Sequence, residues 1–391
     1  MATPDTAIQD QTATTFDIAT LFVSLELSPS KWFVTSLSPG SKKLSKHMIT
    51  GSDSNALLDL LARVKGKAEQ RMNSPIEIVV IQEAGLDGFW IHRLLLAQGI
   101  ESHVVEAASI AVPRRHRRSK TDRIDGEMLL RTLMAFKRGE PRVCSMVIAP
   151  SPEEEDLRRL SRERRTLVKE RTRHINRIKG LLMSQGIKGY QPNRRDCHQR
   201  LEALQTGDGR PLPTHLKTEV LRELDRLDLV KRQIAEVEAA RNALLRSVQE
   251  EARSEAGSPG AQLMKLRSIG PEFASVLWLE GFYRRFNNRR QLAAYAGLAP
   301  SPWRSGKVNR DQGIAKSGNP RLRTTMVELA WLWLRHQPNS ALSRWFHDQV
   351  QGKLGRSRKV AIVALARKLL IALWRYVAEG VVPEGAVFKP A

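Results

Sequence analysis

Asp122 and Asp125 stand three residues apart in Lys120-Thr121-Asp122-Arg123-Ile124-Asp125. On a helix that spacing puts both carboxylates on one face. Two acids in a first turn can do no more than complement the positive end of the helix dipole. They can also form half of a metal site if other acids join them. Glu83 follows the β-branched run Ile76 to Ile81, in Gln82-Glu83-Ala84-Gly85, and Glu26 ends an earlier apolar run, in Leu25-Glu26-Leu27. In a parallel-rich sheet, ligands gather at the carboxyl ends of strands. Four carboxylates at one rim repel one another unless a cation sits among them. An all-oxygen set suits Mg²⁺ or Mn²⁺. Two such ions about 4 Å apart would clamp the attacking and leaving oxygens of an in-line phosphoryl transfer. Immediately upstream lie Arg114, Arg115, Arg117, Arg118 and Lys120, where the phosphates of a nucleic acid could dock.

A second group of candidate residues lies near the other end. Leu292 to Pro300 is followed by Ser305-Gly306 and then by Ile314-Ala315-Lys316-Ser317-Gly318-Asn319-Pro320-Arg321-Leu322-Arg323. The stretch reads as a loop rich in glycine and cations, with Arg304, Lys307, Lys316, Arg321 and Arg323 as candidate phosphate contacts. Ser305, beside a glycine that leaves room for close approach, could attack phosphorus and form a covalent ester. The loop holds no histidine to take the hydroxyl proton, so a metal would have to help. An ordinary Ser-Gly turn is the alternative reading, and Ser301 and Ser317 are competing hydroxyls. Upstream, Leu266 to Ala274 resembles the hairpin of a helix-hairpin-helix, with Gly270-Pro271 at its turn.

These groups need a scaffold, and the bulk composition bounds it. The chain has 391 residues, enough for two or three domains. Its 64 Lys and Arg exceed its 41 Asp and Glu, for a net charge of +23. Such a surplus steers a protein towards phosphate polymers or anionic membranes. The membrane is disfavoured, because no uncharged apolar run approaches the ~20 residues that span a bilayer. Val360 to Val377 comes nearest and is interrupted by Arg367, Lys368 and Arg375. The polar N-terminus does not read as a signal peptide, so residues 1–18 are expected to be a disordered leader and the protein cytoplasmic, in a bacterium. Cys144 and Cys197 are too few for a disulfide framework or a four-cysteine zinc site.

Hydrophobic patterning gives the element order. Leu21 to Leu25, Trp32 to Thr35 and His47 to Thr50 read as three strands, followed by a helix capped by Ser52 or Asp53. Ile76 to Ile81 reads as a strand buried on both faces, then a helix with Trp90 and Leu94 to Leu96, a strand at Val104-Val105, and a helix over about Thr121 to Lys137. The order β-β-β-α-β-α-β-α suggests an α/β domain of the ribonuclease H type over 19–150. Ser151-Pro152-Glu153-Glu154 opens a helix with an N-cap, a proline and acids in their favoured places. Narrow apolar stripes from Leu157 to Leu182 and from Leu221 to Leu244 then predict a coiled-coil arm over 151–256, with a polar break from about Gly186 to Pro213. A stripe that narrow needs a partner, which favours dimerisation over a solvated linker. Residues 257–391 read as a mainly helical domain bearing the serine loop.

With these residues in hand, the chain resembles transposases of the IS110 family. The C-terminal blocks Ile269-Gly270-Pro271, Arg285-Phe286, Leu292 to Pro300, Ser305-Gly306 and Ile314 to Arg323 carry the resemblance in order and spacing, joined by Lys120 to Asp125 and the strand ending in Glu83. The resemblance implies a RuvC-like N-terminal domain with an Asp-Glu-Asp-Asp set and a C-terminal transposase domain with a serine nucleophile. Glu83, Asp122 and Asp125 match the last three acids, and Ser305 matches the serine. The first acid should be aspartate, but here it is Glu26, whose extra methylene would hold an ion farther from its strand. The resemblance further implies donor and target double-stranded DNA, a guide (bridge) RNA encoded by the element, and a homo-oligomer, dimer or tetramer, whose active sites two subunits complete. A RuvC-like endonuclease using water, and a decayed element that binds without cutting, are the competing expectations.

Overall fold

The computed structural model describes residues 19–85, 88–110, 122–141, 143–251, 258–305, 308–315, 318–352 and 355–390, with backbone alone for 108, 122–124, 248–251, 303–305 and 308–312. The expected leader and the basic run Arg114, Arg115, Arg117, Arg118 and Lys120 lie outside the described residues, as do Lys307 and Lys316. The chain divides between Pro150 and Ser151 into two compact units.

The N-terminal unit is built on a six-stranded mixed sheet in the order β3-β2-β1-β4-β5-β6. Its strands are β1 (Ala19–Leu27), β2 (Lys31–Leu37), β3 (Ser45–Thr50), β4 (Ile76–Glu83), β5 (Glu101–Val105) and β6 (Met146–Val147). The central strands β1, β4 and β5 run parallel, and the outer ones pair antiparallel. Alternate residues of a strand face opposite ways, so one sequence fills two cores. Leu21, Val23 and Leu25 join Ile78 and Val80 under α1 (Ser54–Met72) and α2 (Trp90–Ala97). Val79 and Ile81, with Phe22 at the margin, meet Leu129 and Leu133 of α3 (Asp122–Lys137) on the opposite face. This is the helix–sheet–helix sandwich of a ribonuclease H-like domain. Of the two candidate caps for α1, Asp53 does the work, accepting from Ala56 N at 2.9 Å, while Ser52 takes a left-handed turn at φ 63°.

The second unit begins at α4 (Pro152–Met183), whose Ser151 and Glu154 form a reciprocal capping box. It pairs antiparallel with α6 (Thr214–Glu251), burying Leu167 against Val230 and Ile234. Each narrow stripe therefore finds its partner within the chain, and the stripe by itself supplies no argument for a second subunit. The break between them is not merely polar. Tyr190, α5 (Cys197–Glu202) and Leu212 close a small core over Ile178 and Leu224. Both cysteines are free thiols, Cys197 being buried in that core.

Beyond the paired helices come α7 (Pro259–Lys265), α8 (Pro271–Val276), a π-helical turn at Leu277–Phe282, α9 (Arg289–Tyr295), α10 (Pro320–His336), α11 (Ala341–Val350) and α12 (Arg356–Glu379). Leu329, Trp333, Leu365 and Leu369 centre their common core. The stretch expected to be an open loop instead forms an antiparallel hairpin, β7 (Pro300–Ser305) with β8 (Val308–Ile314). Two prolines and alternating polar residues hide it. The strand residues follow no apolar period, and Pro300 and Pro302 flank an irregularity in the register.

Candidate functional sites

In the N-terminal unit, the sheet and α3 bring three of the four expected acids to one edge. Ser24 of β1 donates its hydroxyl to the Gly126 carbonyl of α3 at 2.7 Å, so that face of β1 looks at α3. Glu26, two residues on, shares that face. Ile81 of β4 packs on α3, and Glu83 is again two residues on. Leu25 pairs with Gln82 across the parallel β1–β4 ladder, which sets Glu26 and Glu83 at the same level, at the carboxyl ends of neighbouring strands. At the other end of α3, Lys137 bonds Glu101 at the start of β5, at 2.8 Å, so α3 runs antiparallel to the central strands. Its first turn, with the half-buried Asp125, accordingly lies at the carboxyl edge. Asp122 is the first residue of α3, and only its backbone is described.

Gly126 decides how closely that turn can sit. A Cβ there would lie 2.8 Å from Thr35 Oγ1 on β2, so any other residue would force either the Thr35 side chain or α3 to shift. Sequence reasoning missed Gly126. The available signal was a glycine inside an apolar-periodic helix, directly after a candidate acid. Among the described residues, no three His, Cys, Asp or Glu side chains form a group close enough to hold a metal. The donor set nevertheless fits a hard divalent ion: only carboxylate oxygens, presented from two strands and a helix start on one face.

In the second unit, Ser305 is the last residue of β7 and pairs with Val308. The neck of this hairpin is fastened to α9. Ala315 N donates to Ala299 O at 2.8 Å, and Asn319 N donates to Tyr295 O at 2.6 Å. Gly318 has φ 93°, and a Cβ on it would lie 2.4 Å from Tyr295 O, so both the backbone conformation and the space demand glycine. Asn319 caps α10 through Arg321 N and Leu322 N, and its amide nitrogen donates to Glu280 at 3.1 Å.

Glu280, with its side chain 4 % exposed, is the hub of this neck. Arg162 of α4 donates two bonds to it, at 2.8 and 3.1 Å, and Arg321 Nε lies 3.7 Å away. Burial would raise its pKa, but the hydrogen bonds and charge of Arg162 outweigh burial and hold it below the usual range. Tyr295 donates to the Glu280 carbonyl at 2.9 Å, and burial pushes its hydroxyl well above its ordinary value. Arg321, a candidate phosphate contact, is thus engaged within the protein: it also bonds the Ser161 carbonyl, and its side chain is 12 % exposed. Arg323 is half-buried, and Arg304 is described by its backbone alone. The motif resembling a helix-hairpin-helix forms α7, a tight turn with Ser268 at φ 88°, and α8, whose first turn carries proline. Glu272 of α8 is committed to Arg241 of α6 at 2.7 Å.

Comparison with known proteins agrees with both halves of this architecture. Residues 260–344 match the model described as Transposase IS116/IS110/IS902 family. Residues 30–185, a span that begins beyond Glu26, match a second transposase model, of the DEDD type of IS110 elements. The protein named "Putative transposase y4rJ" of Sinorhizobium fredii is 60 % identical over 384 residues, covering 97 % of each chain. This chain belongs to the IS110 transposase family. The transposase of insertion sequence element IS1111A from Coxiella burnetii is 28 % identical over 76 % of each chain. The "Probable family 20 transposase" of Pseudomonas aeruginosa is 32 % identical over 57 % of this chain and 64 % of its own length. The IS110-family transposase is accordingly an enzyme acting on DNA, with a domain class that implies a divalent metal. Among its described residues no helix is long and apolar enough to cross a membrane.

Proposed function

We propose that this insertion-sequence transposase cuts and rejoins DNA strands through Ser305, with Mg²⁺ or Mn²⁺ held by Glu26, Glu83, Asp122 and Asp125. The observation that carries the reading is the shared carboxyl edge: Glu26 and Glu83 at one level of adjacent parallel strands, with the first turn of α3 beside them. The Ser305 hydroxyl forms a bond to phosphorus as one bridging P–O bond breaks. Its proton leaves, and the departing deoxyribose oxygen gains one. The resulting phosphoserine ester conserves the bond energy, so the reverse attack by a new hydroxyl rejoins the strand. Glu26, Glu83, Asp122 and Asp125 would hold a divalent ion, which when bound would supply positive charge for phosphoryl transfer. In this reading residues 19–150 carry the acids, 151–256 form the arm, and 257–391 carry the serine.

The reading includes a guide RNA and a homo-oligomer with composite sites. Its support is the charge of +23 and the family resemblance; phosphate contacts with RNA need only dispersed cations. Arg304, Lys307, Lys316 and Arg323, with the basic run 114–120, are the proposed contacts. Arg321 is left out because its guanidinium already serves Glu280 and Ser161.

The test incubates wild type, Ser305→Ala and Asp122→Asn with element-end DNA and Mg²⁺ and looks for a denaturant-resistant protein–DNA adduct. Wild type forms it and neither variant does. Ser305→Ala cutting normally, with no adduct in wild type, would leave a water-using endonuclease instead. Co-expressing the two variants regains the adduct if subunits share sites and regains nothing if each chain is self-sufficient. A structured RNA should copurify with wild type, and its digestion should abolish cutting.

A further inference from the structure

The C-terminal unit contains a cavity of about 1330 Å³ that the serine chemistry leaves unused. One wall is a continuous face of α12, bearing Arg356, Lys359, Arg367, Lys368 and Arg375 between small and aliphatic residues such as Val363 and Ala364. Arg289 and Arg290, in the first turn of α9, also line it. So does the base of the serine hairpin, at Pro300, Gly313 and Ile314. Among the described residues, no acid and no aromatic ring lines the cavity.

Two features mark these cations as meant for a ligand. First, α9 and α12 both begin with basic residues and have no acid in the first turn. Cations at the positive end of a helix dipole cost stability; Asn288 caps the start of α9 with a neutral side chain, and α12 has no side-chain cap. Second, among the described residues Arg289, Arg290, Arg356, Lys359 and Arg367 make no ion pair; Arg375 alone of the seven has one, with Glu379 at 3.0 Å, and Lys368 lies over the Trp345 ring at 4.7 Å. Arg367 Nε is shut off from solvent without a hydrogen-bond partner.

We propose that this groove seats the sugar–phosphate ridge of a DNA duplex and leads it to the hairpin that carries Ser305. The cations supply phosphate contacts, and the aliphatic floor receives deoxyribose. A duplex is favoured over a single strand because, among the described residues, the lining offers no aromatic ring on which bases could stack. The described lining carries no Asn, Gln, Ser or Thr, so its contacts position a duplex through phosphates and sugars. The cavity takes one ridge, not a whole helix. The choice of DNA over RNA rests on the proposed role of Ser305, whose hairpin forms part of the wall.

The test uses the full chain with two groove variants on separate helices, Arg356→Gln/Lys359→Gln/Arg367→Gln and Arg289→Gln/Arg290→Gln, the second guarding against misfolding of the first. Affinity for a DNA duplex, a single strand of the same sequence and a duplex RNA is measured across a salt series, with Ser305→Ala as control. We expect duplex-DNA affinity to fall at least about tenfold in the triple variant, and the slope of log affinity against log salt to shrink by about 2–3, near 0.9 per lost phosphate contact. The double variant should lose about two-thirds as much slope. Unchanged duplex-DNA binding in both variants, or loss confined to RNA, overturns the proposal. Ser305→Ala should bind like wild type, so a failure of the serine mechanism appears only in the adduct assay.

Discussion

The acid edge and the serine hairpin present reactive groups in opposite ways. Glu26 and Glu83 extend from strands whose bodies are locked between two apolar layers, with Leu25, Val80 and Ile81 almost wholly buried. Ser305 ends a two-stranded ribbon with no sheet around it, and what fixes the ribbon is a polar neck: Glu280, Tyr295, Gly318 and Asn319. The first arrangement rests on the non-directional burial of area. The second rests on directional bonds, charge and one glycine, so it is more exposed to single substitutions and to pH.

Four expectations follow from that contrast. The largest effect belongs to Glu280→Gln. It leaves the largely buried Arg321 facing an uncharged amide and should cost the second unit about 3 kcal/mol, read as lost hydrogen-exchange protection in α9 and α10 with sheet amides unchanged. Equal loss in the sheet would erase the distinction. Gly318→Ala comes next, at about 2 kcal/mol for a strained left-handed backbone besides the crowding against Tyr295; adduct yield should fall with it while Mg²⁺-dependent protection in the N-terminal unit stays as in wild type. Gly126→Ala should cost about 1–2 kcal/mol and reduce cutting without altering duplex affinity. If cutting is unaffected, the seating of α3 does not govern the acid edge.

The smallest effect is that of mild acid. The Glu280 pKa is depressed, so the stability it contributes is fully present above the ordinary glutamate value of about 4.3 and is lost as pH falls through its lower folded value. Urea midpoints of the second unit should therefore stay level from neutral pH to about pH 5 and decline only below the ordinary glutamate range. Glu280→Gln should lack this component of the decline.

What could be read from the amino acids follows the same division. Ile76 to Ile81 announces a doubly covered strand because burial on both faces demands an unbroken β-branched run, and Ser151-Pro152-Glu153-Glu154 announces α4 because caps are local. Burial also carried the order of elements along the chain, whereas the level of Glu26 beside Glu83 emerges only from the register of β1 on β4. The β7–β8 hairpin escaped because no apolar period accompanies it. The core around Tyr190, Cys197 and Leu212 escaped because its members lie far apart within a polar stretch. The basic wall on α12 was visible only as the charges Arg367, Lys368 and Arg375 that disqualified a membrane span. That these charges share a face with Arg356 and Lys359 is plain only once the helix and its neighbours stand together.

The pairing of α4 with α6 has a geometric corollary. At 38 residues, α6 is a rod of roughly 57 Å, and the small core over Ile178 and Leu224 rides at its far end. Each residue added to both rods advances that tip by about 1.5 Å and swings it by about 100°. Insertions of seven preserve its heading to within about 20°, whereas insertions of two point it nearly backwards. Whatever the tip touches, its reach and its bearing are set by a single count and cannot be tuned independently.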